Sequence, residues 1–165
     1  MSAGSRLVRM AIGEYGASAE YFIERTWERR EDFLLLNPEG TLPVMVDEGD
    51  VPICGAITAC EYLDETRGFT LEDRRLMPSH PLARAEVRRL MHWFLVKMEA
   101  EATQYFVNEK VTKREMPRDA GGGAPESAVL RAARANLKNH LGYLEYLASE
   151  RNWLGGDQMS YADFA

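Results

Sequence analysis

Two long apolar stripes at helical spacing fill the second half of the sequence. The first stripe follows Pro81, a residue that suits the first position of a helix, and the second follows a loop over residues 114–126. Stripes of this width predict two long amphipathic helices that pack together as a helical bundle. Their members are Val87, Leu90, Met91, Phe94, Leu95 and Met98 in the first stripe, and Leu130, Ala133, Leu137, Leu141, Leu144 and Leu147 in the second.

The first half of the sequence alternates short elements of different kinds. Periods of apolar residues and turn residues set the type of each element. The predicted elements are a helix over 5–15, a strand over 18–24, a short helix ended by Asn37 and Pro38, two strands around a turn at 48–50, and a helix ending at Gly68. This order predicts an α/β first half in front of the all-α second half.

Composition excludes several classes of function. The chain has 165 residues and a net charge of -6, which argues against a general nucleic-acid binder or a protein that binds acidic membranes. No apolar run reaches the ~18 residues that a membrane span needs. Cys54 and Cys60 are not spaced as a redox pair, and no histidine lies near them in sequence to complete a metal site. We therefore expect free thiols, no metal and a cytoplasmic location.

A helix-capping signal lies in the last ten residues, "GDQMSYADFA". Ser160 and Asp163 form an S-x-x-D pattern, in which the hydroxyl and the carboxylate each accept a hydrogen bond from the backbone of the other residue. Met159 and Phe164 are placed to form the accompanying hydrophobic contact. The pattern predicts a structural capping box and a helix that begins at Tyr161.

Four motifs together resemble the cytosolic glutathione S-transferases: "NPEGTLPVMVDE", "ACEYLDETRG", "LMPSHPLARAEVRRLMHWF" and "GDQMSYADF". They occur in the family's order and cover most of the chain. The resemblance implies a thioredoxin-like domain over 1–68, a linker over 69–80 and an all-helical domain over 81–165. It also implies a cis peptide bond before Pro43 and pairing of two chains as a homodimer.

The resemblance breaks down at both ends of the chain. The family has a strand before its first helix and further helices after the capping box. The expected fold class is therefore an α/β thioredoxin-like domain whose first strand is missing, followed by a truncated all-α domain. Because the missing strand is interior in the family, we expect the next strand to have an unpaired edge.

The resemblance places a glutathione site at two backbone segments. It implies that Leu42 and Pro43 present their backbone to the ligand. At the start of the third helix the family carries Glu/Gln-Ser, which holds the γ-glutamyl end of glutathione. Here those two positions fall on Gly55 and Ala56. The helix start can still attract a carboxylate, but the lost side chains predict weak glutathione binding.

Ser2 and Ser5 are the catalytic candidates. In the family a hydroxyl or thiol at the start of the first helix stabilises the thiolate of glutathione, and these two serines match its first and second positions. A hydroxyl donor at a helix start lowers the pKa of a bound thiol. The alternative is that either serine only caps the first helix.

Trp27 lies in a charged connection together with Arg25, Arg29 and Arg30. A tryptophan in such a place either packs beneath the loop or anchors a partner. Tryptophan and arginine are the residues most enriched at interface hot spots. The three arginines would suit an acidic segment of a partner protein.

Three hypotheses about function follow. The pattern "GEYG…W-E-R-R-x-D-F-L-L-L-N-P" is similar to an alphaproteobacterial group of transferase-like division proteins that bind FtsZ. The first hypothesis is therefore a non-catalytic module that binds a protein of the FtsZ type. The second is a glutathione transferase that uses Ser2 or Ser5. The third is a truncated product with no independent function.

Overall fold

The first helix begins earlier than the sequence predicts. The computed structural model describes residues 2–165. Helix α1 (Ala3–Glu14) is capped by Ser2, whose hydroxyl accepts a hydrogen bond of 3.2 Å from the Ser5 N–H. The helix therefore starts at Ala3 rather than at residue 5. Its buried face consists of Leu7, Val8, Ala11 and Ile12.

Residues 17–25 form no strand, so the predicted strand over 18–24 is wrong. Its apolar side chains are exposed instead, with Phe22 at 82% and Ile23 at 94% of full accessibility. Within residues 2–165, the sheet has two strands and both lie further along the chain. The alternation of side chains favours a strand, but no strand lies beside this segment to pair with its backbone groups.

The short elements that follow match the prediction. A 3₁₀ turn (Thr26–Glu28) leads into helix α2 (Glu31–Leu36). This helix ends at Asn37, whose side chain donates a 2.9 Å hydrogen bond to the Thr41 carbonyl. The side chain of Asn37 therefore holds the loop that leads to the sheet.

The sheet is one antiparallel hairpin, as predicted. Strand β1 (Val44–Val46) pairs with strand β2 (Pro52–Cys54), and Met45 lies opposite Ile53. The peptide bond between Leu42 and Pro43 is cis, as the family resemblance implies. Helix α3 (Ala56–Arg67) begins two residues after β2 and is followed by a 3₁₀ segment.

The second half is helical throughout, and residues 81–165 contain no strand. One continuous helical stretch runs from residue 81 to residue 115 and includes two π-helical segments, followed by two separate helices. The parts of this stretch are α4 (Pro81–His92), a π segment (Trp93–Thr103), α5 (Gln104–Val107), a second π segment (Asn108–Thr112) and α6 (Lys113–Glu115). The two separate helices are α7 (Ser127–Glu150) and α8 (Tyr161–Phe164).

A single hydrophobic core joins the two halves. Side chains of α1, α3, α4 and α8 all contribute to it. The second predicted stripe is narrower than expected, because Leu141 is half exposed. The buried residues of α7 are Ala133, His140 and Leu147, which recur every seven residues as in a helix that packs along one narrow seam.

The capping box at the start of α8 is present. The Ser160 hydroxyl accepts a 3.3 Å hydrogen bond from the Ala162 N–H, one residue earlier than the sequence predicts. The Asp163 carboxylate accepts from the Ser160 N–H at 2.8 Å and from the Leu154 N–H at 2.8 Å. The box therefore also fixes the loop that precedes the helix.

Ser160→Ala is expected to lower the free energy of unfolding by about 1 kcal/mol. The substitution removes the acceptor for the Ala162 N–H while the backbone stays buried. Urea denaturation of the full chain measures the change. Ser149→Ala is the control, because the Ser149 hydroxyl only donates to a carbonyl of its own helix and is exposed. Equal stability of the two variants would contradict a stabilising role for the box.

Candidate functional site

A cleft of about 250 Å³ opens where the starts of α1 and α3 meet the long helix of the second half. The loop before β1 forms its floor, and the π segment after α4 forms its far wall. The walls are mostly apolar, with one hydroxyl and one carboxylate. The lining residues are Ser2, Ala3, Gly4, Leu42, Ala56, Ile57, Leu95, Val96 and Glu99.

A backbone hydrogen bond joins the start of α3 to the loop that contains the cis Leu42–Pro43 bond. The Gly55 N–H donates a 2.9 Å hydrogen bond to the Pro43 carbonyl. Gly55 has a φ of 85°, a conformation that residues with a side chain rarely adopt. An acidic side chain at this position would therefore be strained, whereas glycine is not.

Helix α1 packs against α3 at the first turn of both helices. A Cβ atom on Gly4 would lie 2.9 Å from the Cβ of Ala56 and 3.2 Å from the Cδ of Pro43. Only glycine permits this approach without a shift of the backbone. Gly4 thus brings the two helix starts together at the cleft.

The first turn of α3 has no side-chain cap, because Gly55 occupies the N-cap position. Its free N–H groups and the helix dipole give this wall a partial positive charge. Ala56 and Ile57 of the same turn line the cleft. This wall can attract an anion through its backbone, but Ala56 and Ile57 offer no polar side chain to hold one.

The two candidate serines have different positions. Ser2 lines the cleft and caps α1, whereas Ser5 donates its backbone N–H to that cap and is not among the lining residues. A serine hydroxyl can accept one hydrogen bond and donate another. The capping role of Ser2 therefore leaves its proton available to a ligand in the cleft.

Among residues 2–165, Glu99 is the one residue with an ionisable side chain that lines the cleft. It belongs to the π segment, and its carboxylate accepts a hydrogen bond from the Thr103 hydroxyl. Sequence analysis missed this residue. The available signal was its position one turn after Leu95 in the first apolar stripe, but nothing in the sequence places that turn opposite α1.

Residues 24–30, called the Trp27 loop below, present a half-buried tryptophan at the surface. Arg30 binds Glu24 at 2.9 Å, and this pairing raises the pKa of the Arg30 guanidinium. Arg25 lies 3.5 Å from Glu28. Among residues 2–165, Arg29 has no acidic partner, and its backbone is left-handed with a φ of 46°. Two of the three arginines are therefore neutralised within the loop.

A buried polar network supports the cleft from behind. The hydroxyls of Tyr15 and Tyr161 lie 2.6 Å apart, and burial raises the pKa of Tyr15 to about 12. The Asp64 carboxylate is 1% exposed and lies 2.6 Å from the Arg75 guanidinium. Burial also raises the pKa of the Cys60 thiol to about 12, which keeps it protonated. None of these groups is among the residues that line the cleft.

Comparison with known proteins identifies the family. Residues 1–66 match the family described as "Glutathione S-transferase, N-terminal domain". The chain is 38% identical over 164 residues to FtsZ-localized protein A of Caulobacter vibrioides, an alignment that covers 98% of this chain and 68% of that protein. The chain belongs to the glutathione S-transferase family. The family resemblance inferred from sequence is thereby confirmed.

Solved structures of the family confirm the fold. A glutathione S-transferase from Sinorhizobium meliloti matches with a TM-score of 0.96 and 51% identity, covering 99% of this chain and 71% of that one. FzlA from C. crescentus matches with a TM-score of 0.87 and 38% identity, covering 99% and 70%. The predicted thioredoxin-like first part and helical second part are both present.

The residues of the cleft fit glutathione, the substrate of the family, poorly. Gly55 and Ala56 supply neither an acid for the ligand's amino group nor a hydroxyl for its carboxylate. Glu99 lines the same cleft, and a carboxylate carries a charge of the same sign as the thiolate and the carboxylates of glutathione. Ala56 and Ile57, which line the cleft at the start of α3, therefore offer a ligand no polar side chain.

Two kinds of feature are absent from the described part of the chain. Within residues 2–165, no three His, Cys, Asp or Glu side chains lie together in a way that could hold a metal ion. In the same part of the chain, no helix is both long enough and apolar enough to cross a membrane.

Proposed function

We propose that this protein is a non-catalytic member of the glutathione S-transferase family that acts by binding another protein. The proposal rests on one observation, the start of α3, where Gly55 and Ala56 carry no group that could grip the γ-glutamyl end of glutathione. The proposed partner is FtsZ, and the proposed location is the cytoplasm. As in the family, two copies would pair as a dimer.

The missing side chains account for weak glutathione binding. The helix start retains an attraction worth about 0.3–1 kcal/mol for an exposed anion. Each lost hydrogen bond to a charged group costs about 1.5–3 kcal/mol. Two such losses weaken binding by roughly two to three orders of magnitude or more. A poorly held thiol is also poorly positioned beside Ser2, which lowers the rate of any reaction.

Two observations support a protein partner. One relative is named for its localisation with FtsZ, and the alignment with it covers 98% of this chain. The Trp27 loop offers a partly exposed aromatic side chain beside one arginine without an acidic partner. A large aromatic side chain beside an arginine is the usual composition of an interface hot spot.

Glutathione at millimolar concentration is expected neither to raise the melting temperature of the full chain nor to support conjugation of a generic electrophile. A ligand stabilises a protein only when its concentration is comparable with or above its dissociation constant. Thermal denaturation with and without glutathione measures the first effect, and a conjugation assay measures the second. Ala56→Ser, which restores a hydroxyl at the start of α3, is the variant expected to bind glutathione more tightly.

An alternative function is a glutathione transferase that uses Ser2. The position of the Ser2 hydroxyl in the cleft, at the start of α1, favours it. Ser5 is the weaker candidate, because it is not among the lining residues. Glutathione-dependent turnover by the wild-type chain that is lost in Ser2→Ala and kept in Ser5→Ala would establish this enzyme and overturn the non-catalytic proposal.

A further inference from the structure

The electrostatic balance of the cleft depends on Glu99. The other lining residues in the described part of the chain carry no ionisable side chain. No cation within residues 2–165 forms an ion pair with Glu99. Its hydrogen-bond donor is the neutral hydroxyl of Thr103. The carboxylate therefore has no cationic partner among the described residues, on a wall that faces the starts of α1 and α3.

The surroundings of this carboxylate are mostly apolar. Leu42, Ile57, Leu95 and Val96 line the same cleft. Apolar neighbours screen a charge less than bulk water does. A negatively charged ligand that approaches the two helix starts meets the carboxylate in the same space.

We propose that Glu99 is a specificity-determining residue that disfavours negatively charged ligands in the cleft, the thiolate of glutathione above all. This inference rests on the proposed function, since it adds a second cause to the weak binding expected from Gly55 and Ala56. The two causes are independent. One is the absence of hydrogen-bonding groups at α3, and the other is a repelling charge on the opposite wall.

Glu99→Gln tests the proposal, because it removes the charge and keeps both the volume and an acceptor for the Thr103 hydroxyl. Isothermal titration of the full chain with glutathione should show about tenfold tighter binding than the wild type, a change of about 1.4 kcal/mol. S-Methylglutathione, which has no thiol to ionise, should gain much less. The thiolate absorbance of bound glutathione should titrate at a lower pH in the variant.

Glu115→Gln is the matched control. It removes one negative charge from the same continuous helical stretch at an exposed position that does not line the cleft. Its affinity for glutathione should equal that of the wild type. A gain of the same size in Glu115→Gln would overturn the proposal, since the effect would then reflect net charge alone.

The outcomes separate the two proposals. Weak binding in the wild type and an unchanged affinity in Glu99→Gln overturn the role of Glu99 and leave the non-catalytic function standing. Tight binding and turnover in the wild type, with a further tenfold gain in Glu99→Gln, overturn the non-catalytic function and support the role of Glu99. Absence of binding in both proteins, at the highest soluble glutathione concentration, counts against Glu99.

Discussion

Arg75→Ala is expected to lower the free energy of unfolding by about 3 kcal/mol, the lower end of the range for breaking a buried ion pair. The Arg75 side chain donates to the Asp64 carboxylate at 2.6 and 3.3 Å and to the Asp64 carbonyl at 3.1 Å. The Asp64 side chain is fully buried. Loss of the arginine therefore leaves a buried carboxylate without its main ionic partner and away from solvent.

Two features place the expected loss of stability at the lower end of the range for a broken buried ion pair. Arg75 is about one-third exposed, so part of its charge is already solvated. Arg84 lies 3.8 Å from the same carboxylate and remains after the substitution. The double variant Asp64→Asn, Arg75→Met should recover part of the loss, because it removes the buried charge together with its partner.

Urea denaturation measures the change. Arg74→Ala is the control, since Arg74 is exposed and has no acidic partner among residues 2–165. It should change stability by less than about 0.5 kcal/mol. Similar values for the two single variants would show that Asp64 is solvated or neutral when Arg75 is absent.

The second large effect concerns partner binding. Trp27→Ala is expected to weaken binding to FtsZ by at least about 2 kcal/mol, or roughly thirtyfold. Trp27 is only half-buried, and it lies in the 3₁₀ turn next to Arg29. Loss of a large aromatic contact at the centre of an interface accounts for an effect of this size, while the buried core is unaffected.

Binding of the purified full chain to purified FtsZ, followed by light scattering or surface plasmon resonance, measures this effect. Trp27→Phe should retain much of the affinity, because an aromatic ring remains. Trp153→Ala is the control, since Trp153 is an even more exposed tryptophan that lies outside this loop. Unchanged binding in Trp27→Ala, with an intact melting transition, would remove the loop from the interface.

The charges of the loop narrow the kind of partner surface that fits. Arg25 and Arg30 are neutralised by Glu28 and Glu24, so only Arg29 is free to pair with an acidic group. The sequence had suggested that all three arginines would serve. Arg29→Glu should therefore weaken FtsZ binding more than Arg25→Glu does, and its effect should fall at high salt.

Much of the fold could be predicted because its signals are local. The β1–β2 hairpin, the end of α2 at Asn37 and the box at Ser160 each depend on a few neighbouring residues. Turn chemistry and side-chain capping act over that distance and operate before distant segments meet. The family motifs added the cis bond before Pro43, which no local period predicts.

The cleft shows what is determined by residue identity and what is determined by packing. The sequence by itself determined that Gly55 and Ala56 carry neither an acid nor a hydroxyl, because that is a matter of residue identity. Only the tertiary structure placed Gly4 against Ala56 and brought Glu99 to the opposite wall. These residues are far apart in the chain, and their meeting depends on how whole helices pack.

The difference between local signals and packing of distant segments also explains where the predictions fail. The alternation over residues 18–24 is a sound strand signal, but a strand exists only where another strand accepts its hydrogen bonds. The spacing of Leu141 fits a helical stripe, yet the neighbouring helices cover only a narrow seam of α7. The sequence thus determined which segments form helices and turns and which polar groups the cleft lacks. Packing between distant segments decided which charges and apolar groups are buried, because burial depends on the neighbours that the fold supplies.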